Sequence, residues 1–282
     1  MGDRIDLHVH STASDGSFTP TELVRMAKDL GLRAMAISDH DTIGGVAEGL
    51  TAGEKIGLEV VPGVELSTDL RGKTVHMLGY FFDPQHKGFH EKLAWAQRQR
   101  EERNLKMVAR FNELGIDMTL AEVEAEAGGD VIGRPHFAQV LIKKGVVKEI
   151  QEVFDIYLGR QGKAYIPKFR FTPSESVGII REAGGLPILA HPGLYDWSPL
   201  QIDEAVGDLC DLGLVGLEVM YTDHTPAMVQ IFSDIARRRG LAPTGGSDFH
   251  GKNVPNVFLG TGKGDLAVPY QWLSDLKQKL VR

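Results

Sequence analysis

The sequence predicts an α/β fold: a barrel of βα units interrupted by a helical insertion. Three observations predict it. Short apolar runs recur, and each ends in His, Asp or Glu before a helical stretch begins, the rhythm of strand and helix in βα architectures. The arrangement Thr-Pro-x-Glu opens a segment at Thr19 and again at Thr172. In it the Thr serves as N-cap, the Pro as first helical residue and the Glu as the reciprocal half of a capping box. Between 84 and 165 the alternation stops and long charged helical stretches replace it. The expected barrel therefore comprises 1–83 and 166–282, with 84–165 inserted as a helical cap over the substrate.

Composition bounds the function. With 282 residues, 42% apolar and 24% charged, the chain has the length for a large core and the balance of a globular protein. A formal net charge of -7 argues against a partner such as duplex nucleic acid, which selects basic surfaces. A small anionic substrate in a local positive site remains compatible. The single Cys210 provides no internal disulfide and fits a reducing compartment. The N-terminus reads as a strand from Ile5, without the long apolar stretch of a signal peptide, and no run reaches membrane-spanning length. A cytoplasmic protein is expected, with no membrane and no obligate protein partner signalled.

The elements follow in order. Ile5, Leu7 and Val9 alternate with Asp6, His8 and His10, the period-two pattern of a strand with one apolar face. Both imidazoles then leave one face, close enough to share a metal ion, with Asp15 in the loop beyond. A helix after Thr19 carries Leu23, Met26, Ala27 and Leu30 on one face, and Gly31 suits its left-handed end. Leu32 to Ile37 is a buried strand ending in Ser38-Asp39-His40-Asp41. A helix at Val46 to Ile56 leads to a strand at Leu58 to Val64 that ends at Glu65. Thr74 to Phe82 is a further strand, with His76 within it.

In the insertion, Phe89 to Leu114 is a long charged helix ending at Gly115, and Thr119 with Glu122 makes another capping box. Gly133-Arg134-Pro135-His136 places a cation at a helix N-terminus, where anions bind; taken alone it reads first as a solvated Arg at a helix start. The barrel resumes at Thr172. Leu186 to Ala190 is a strand ending in His191-Pro192-Gly193, and Leu214 to Val219 another, with Glu218 in it and His224 after it. Thr244 to His250 ends in Asp248 and His250, again two residues apart, and Tyr270 to Leu280 is a closing helix.

Gathered at strand ends are His8, His10, Asp15, His40, Glu65, His76, His191, Asp248 and His250. Six imidazoles and three carboxylates without a thiolate suit manganese, iron or zinc, and more donors are present than one ion takes. Two or three ions with a bridging carboxylate fit the set. Glu65 is the expected bridge, since its strand should lie between those bearing His10 and His76.

The ordered motifs Asp-x-His-x-His-Ser (from Asp6), Ser-Asp-His-Asp (from Ser38), Gly-Val-Glu (to Glu65), His-Pro-Gly (from His191) and Gly-Ser-Asp-x-His (to His250) resemble the PHP (polymerase and histidinol phosphatase) superfamily. The resemblance implies a distorted (β/α)7 barrel with a trinuclear metal centre, most readily of Mn2+, with Fe2+ or Zn2+ as alternatives. By matched position, His8, His10, Glu65 and Asp248 would hold one ion. Glu65, His76 and His191 would hold a second, and Asp15, His40 and His250 a third. Glu65, Asp248 and His191 are the catalytic set this implies. The insertion bearing Arg134 and His136 is similar to the branch of nucleotide phosphatases that remove the 3′-phosphate of nucleoside 3′,5′-bisphosphates, some of which trim short RNA 5′ ends.

The physics agrees with a phosphoester substrate. Divalent ions outweigh three carboxylates, so the centre would attract a phosphate dianion, and attack by a metal-bridging hydroxide is the implied chemistry. Arg134, Lys168 and His136 are the substrate-binding candidates, with Arg170 a further cation; Asp6, Asp39 and Asp41 would orient ligand histidines. His224 and His136 are the imidazoles available to protonate a leaving group. The partner expected is a nucleotide or a short oligoribonucleotide. The competing readings are a histidinol phosphate phosphatase, an exonuclease, and, in a different class, a non-catalytic metal-binding structural module.

Overall fold

A computed structural model describes residues 3–127 and 132–280. The chain divides into two compact units, one formed by residues 1–93 and 170–282 and the other by 94–169. Residues 84–93, placed in the insertion from sequence, belong to the first unit, and 166–169 to the second.

The first unit is the barrel. Strand β1 (Arg4–Asp6) is followed by helix α1 (Pro20–Asp29), β2 (Ala34–Ile37), α2 (Val46–Ile56), β3 (Glu59–Leu70) and β4 (Lys73–Tyr80), where α3 (Lys87–Glu113) begins. The eight-stranded sheet runs β7-β6-β5-β4-β3-β2-β1-β8 once the later strands are placed. These are β5 (Leu186–Leu189), β6 (Gly216–Tyr221), β7 (Ala242–Gly246) and the two-residue β8 (Val268–Pro269), which pairs antiparallel with β1. Past Asp6 the chain runs alongside the end of β7. Leu7 N donates to Gly245 O (3.2 Å), Asp248 N to His8 O (2.8 Å) and His10 N to Phe249 O (2.9 Å). Seven strands thus form a nearly closed ring.

Two sequence expectations change. The first concerns β4, which is antiparallel to both neighbours. Only Arg71 and Gly72 separate it from β3, both at positive φ (53° and 76°), the geometry of a tight hairpin turn. A parallel return needs a crossover of a dozen residues, which two cannot provide. The second concerns the alternation from Ile5 to Val9. Ile5 and Leu7 join the core inside the ring, with Ala34, Val61, Tyr80 and Ile188, whereas Val9 joins Leu23, Val24 and Phe249 beneath the outer helices. Regular pairing ends at Asp6, and the parity slips where the chain turns to follow β7.

The helices close over the ring by the expected signals. Thr19 and Thr172 accept from Glu22 N and Glu175 N, and both glutamates reach back to the cap. On α1 the buried residues are Pro20, Leu23, Val24 and Ala27, while Leu30 is the C-cap and half-exposed. Helices α7, α8 and α9, numbered after those of the second unit, span Pro173–Glu182, Pro199–Leu212 and Pro226–Arg239. Helix α10 (Tyr270–Lys277) sends Leu273 and Leu276 into the barrel core.

The second unit contains most of α3, then α4 (Leu120–Ala127), α5 (Arg134–Lys143) and the short α6 (Ile150–Val153), which runs on into a wider turn at Phe154–Leu158. Its described residues form no strand. Met107, Phe111, Val123, Phe137, Leu141 and Val153 make its own core. Among the described residues, no helix is long and apolar enough to cross a membrane.

Candidate metal centre

The structure brings all nine expected donors of the barrel to one end of the ring. Glu65 lies at their middle with its carboxylate 1% exposed. Its Oε1 is 2.8 Å from His76 Nδ1, 3.1 Å from His191 Nε2 and 3.4 Å from His8 Nε2. Its Oε2 is 2.8 Å from His40 Nδ1 and 3.3 Å from His10 Nε2. Asp248 Oδ1 stands 3.0 Å from His10 Nε2 and 3.4 Å from His8 Nε2. Asp15 is 3.3 Å from His250 Nε2, 3.6 Å from His10 Nδ1 and 3.8 Å from His40 Nε2.

Four groups place their donor atoms within 4.8 Å of one another: His8, His10 and Asp248; His8, Glu65 and His191; His40, Glu65 and His76; and His10, Asp15, His40 and His250. His76 Nδ1 and His191 Nε2 are also 3.3 Å apart. His8 Nε2, His10 Nε2 and Glu65 Oε2 are buried with no hydrogen-bond partner, despite lying this close together. Buried polar atoms are normally satisfied, and atoms such as these three, which converge without a hydrogen-bond partner, are arranged around something they share. The residues fit divalent cations.

Protonation follows from the same packing. Burial works against charge on Glu65, Asp15 and Asp248, yet neighbouring imidazoles hold all three well below the usual carboxylate range. Burial opposes charge on His8 too, but Glu218, Asp248 and Glu65 raise it well above its ordinary value. His250, despite burial, is lifted to about 9 by Asp15. Burial and the neighbouring His250 pull His10 down to about 4. Asp248 itself sits at φ 57°, a left-handed conformation that Asp tolerates at some cost.

Of the aspartates expected to orient histidines, Asp6 accepts the backbone N–H of His8 (3.2 Å), and all three bind serines beside the donors. Asp6 accepts from Ser247 N and Oγ and from Gly260 N. Asp39 accepts from Ser11 N and Oγ and from Ser14 Oγ. Asp41 accepts from Ser67 N and Oγ. Each clamps a serine one or two residues from a donor on an adjoining strand. His224 donates from Nδ1 to Val219 O and accepts Gly193 N–H at Nε2, so both nitrogens are committed and it cannot serve as the acid. Arg170 is taken up by Asp69 (2.8 Å) and Thr74.

Arg134, Lys168 and His136 lie in the second unit. Arg134 opens α5 and donates to Leu158 O (3.2 Å). His136 Nδ1 accepts from Gly133 N (3.0 Å), capping the helix. Lys168 is half-buried. Sequence reasoning missed Arg103, which is 6% exposed, forms no ion pair among the described residues and donates to Ile166 O and Asn104 Oδ1. Burial, then Arg134 and Arg100, lower its pKa to about 10. It also missed Tyr221, whose hydroxyl donates to Asp248 Oδ2 (3.0 Å), and the contacts of Glu218.

Residues 6–163, more than half the chain, match the PHP domain. A 5′-3′ exoribonuclease of Haemophilus influenzae is 33% identical over 89% of this chain and 91% of its own. A 3′,5′-nucleoside bisphosphate phosphatase of Chromobacterium violaceum is 34% identical over 87% of each. Among solved structures, a Bifidobacterium adolescentis protein described as a metal-dependent phosphoesterase superposes with a TM-score of 0.82. It shares 32% identity, and 98% of this chain and 96% of that one are covered.

Proposed function

The chain belongs to the PHP family and is a metal-dependent phosphoesterase, and from that premise we propose that it removes the 3′-phosphate of nucleoside 3′,5′-bisphosphates. One observation carries the reading: six imidazoles and three carboxylates converge around Glu65 with buried, unbonded acceptor atoms. His8, His10, Glu65 and Asp248 would hold one ion, Glu65, His76 and His191 a second, and Asp15, His40 and His250 a third, with Mn2+ the metal proposed and Fe2+ or Zn2+ alternatives. Such ions supply Lewis acidity and an activated water at neutral pH.

The chain's own groups do the rest. Glu65 offers one oxygen to each side of the centre and so fixes its spacing. Tyr221 holds Asp248 Oδ2, leaving Oδ1 toward His8 and His10. Substrate selection falls to the insertion, where Arg134 stands at a helix N-terminus and Arg103 is a buried guanidinium with no carboxylate partner among the described residues, a setting in which a phosphate is the fitting counter-charge. Lys168 and His136 are secondary candidates. The lone Cys210 accords with a cytoplasmic site of action.

The test is release of phosphate from nucleoside 3′,5′-bisphosphates and histidinol phosphate, and of mononucleotides from 5′-phosphorylated short oligoribonucleotides, before and after chelation. The bisphosphates should give the highest kcat/KM and lose it on chelation. Equal or faster turnover of the oligoribonucleotides would move the assignment to an exonuclease, and no metal-dependent release from any of them would remove it.

A further inference from the structure

Six of the seven strands in the ring lead to a donor at the centre, and β6 does not. It carries Glu218 instead, fully buried in mid-strand. A buried carboxylate is costly unless it is bonded, and both oxygens of this one are. Oε1 lies 3.0 Å from His8 Nδ1, and Oε2 accepts His191 N–H at 2.7 Å. No cation pairs with it otherwise among the described residues, and it lies in none of the four donor groups.

We propose that Glu218 is a positioning residue that sets the metal affinity of two positions in the centre, acting through His8 and His191. This rests on the preceding reading that these histidines hold metal. A carboxylate accepts and cannot donate, so it keeps a proton of His8 on Nδ1 and makes Nε2, which faces Glu65 and Asp248, the nitrogen that would give up its proton to a metal. Its other oxygen holds the backbone of His191, which sits at φ 20°, on the margin of the left-handed region, where surrounding bonds must hold it. One side chain thereby aims two donors that are 183 residues apart. Asp15, His40 and His250 have no bond to it.

Glu218→Gln tests this with shape preserved. Both contacts need an acceptor, and an amide has one oxygen and one NH2. If the oxygen faces His8, the NH2 opposes His191 N–H. If the NH2 faces His8, it drives the imidazole proton to Nε2 and blocks ligation there. Mn2+ titrated into the chelated full-length protein should bind about 10- to 100-fold more weakly at two positions, while the position built on Asp15, His40 and His250 keeps its affinity. In a His8→Ala background the same substitution should cost less, because the path through His8 is already cut. Glu218→Asp, which keeps the charge but cannot span both partners, carries the test if the amide variant does not fold, with the same ranking of positions expected. Equal weakening of all positions would make Glu218 a general structural residue and overturn the proposal, as would unchanged affinity. A wild-type protein that takes up no Mn2+, Fe2+ or Zn2+ would instead overturn the metal reading beneath it.

Discussion

At the scale of the residue, Glu65 and Arg134 carry the two halves of the proposed chemistry. Glu65 meets histidines from four other segments through its two oxygens, and Glu65→Gln removes the shared negative charge while keeping the shape. Metal content after dialysis should drop, and kcat should fall by about a thousandfold, which corresponds to about 4 kcal/mol. Full metal occupancy with normal turnover would refute its bridging role. Arg134→Ala, by contrast, should leave metal content unchanged. It should cost about 2–4 kcal/mol in kcat/KM on a 3′,5′-bisphosphate, as for a lost charge-assisted contact. A small effect on a substrate with a single phosphate would show that Arg134 grips the spectator group, and an equal effect that it grips the reacting one. Arg134→Lys should recover only part, since an ammonium lacks the planar two-point contact. Unchanged kinetics in both variants would remove Arg134 from substrate binding.

At the scale of the element, the site depends on how strand ends are tied together. The three Asp–Ser clamps do this by pairing one carboxylate with the backbone and hydroxyl of a serine on the next strand. Burial raises the pKa of Asp39, and the bonds from Ser14 and Ser11 only partly offset it. A raised carboxyl pKa means the folded state disfavours the ionised form, so its contribution is greatest at low pH and is lost as pH rises through the folded pKa. The neutral Asp39→Asn keeps one acceptor and sheds the desolvation cost, and should change stability at neutral pH by less than about 1 kcal/mol. Asp39→Ala leaves the donors of Ser11 and Ser14 unmet and should cost about 3 kcal/mol in denaturant unfolding. Equal losses in the two would show that charge rather than acceptor count matters. Helices with a capped Thr-Pro start, such as α1 and α7, were legible because the cap is local. The direction of β4 was not, although Arg71-Gly72 marked a tight turn, because strand pairing is a long-range choice that a periodic pattern does not encode. Helices α8 and α9 begin with Ser198-Pro199 and Thr225-Pro226, the same signal, which went unused.

At the scale of the molecule, the donors were legible because most of them end or closely follow an apolar run, where a βα barrel presents its functional side chains, and His76, inside its own strand, stood out only beside them. Glu218 and Arg103 were not. The first sits inside an apolar strand, and the second inside a helix so rich in charge that a solvated face is the natural reading. Both show their character only through burial, which is a property of the folded chain. The donors are spread from His8 to His250, so an unfolded chain cannot gather them, and ions that bind the native arrangement must stabilise it. At about 100 times its dissociation constant a single ion contributes about 2.7 kcal/mol. For a barrel of this size that raises Tm by roughly 5–10 °C. Chelation should therefore lower Tm by this amount in a calorimetric scan, and Mn2+ should restore it. Mg2+ should restore far less, because it favours six oxygens and dehydrates reluctantly, whereas this centre is mostly imidazole. Among the described residues the second unit contains no donor group of this kind, so a transition belonging to it alone should not move. An identical Tm with and without chelator, in protein shown by elemental analysis to have carried ions beforehand, would mean that the donors are held in place by the fold alone and that the metals add nothing to its stability.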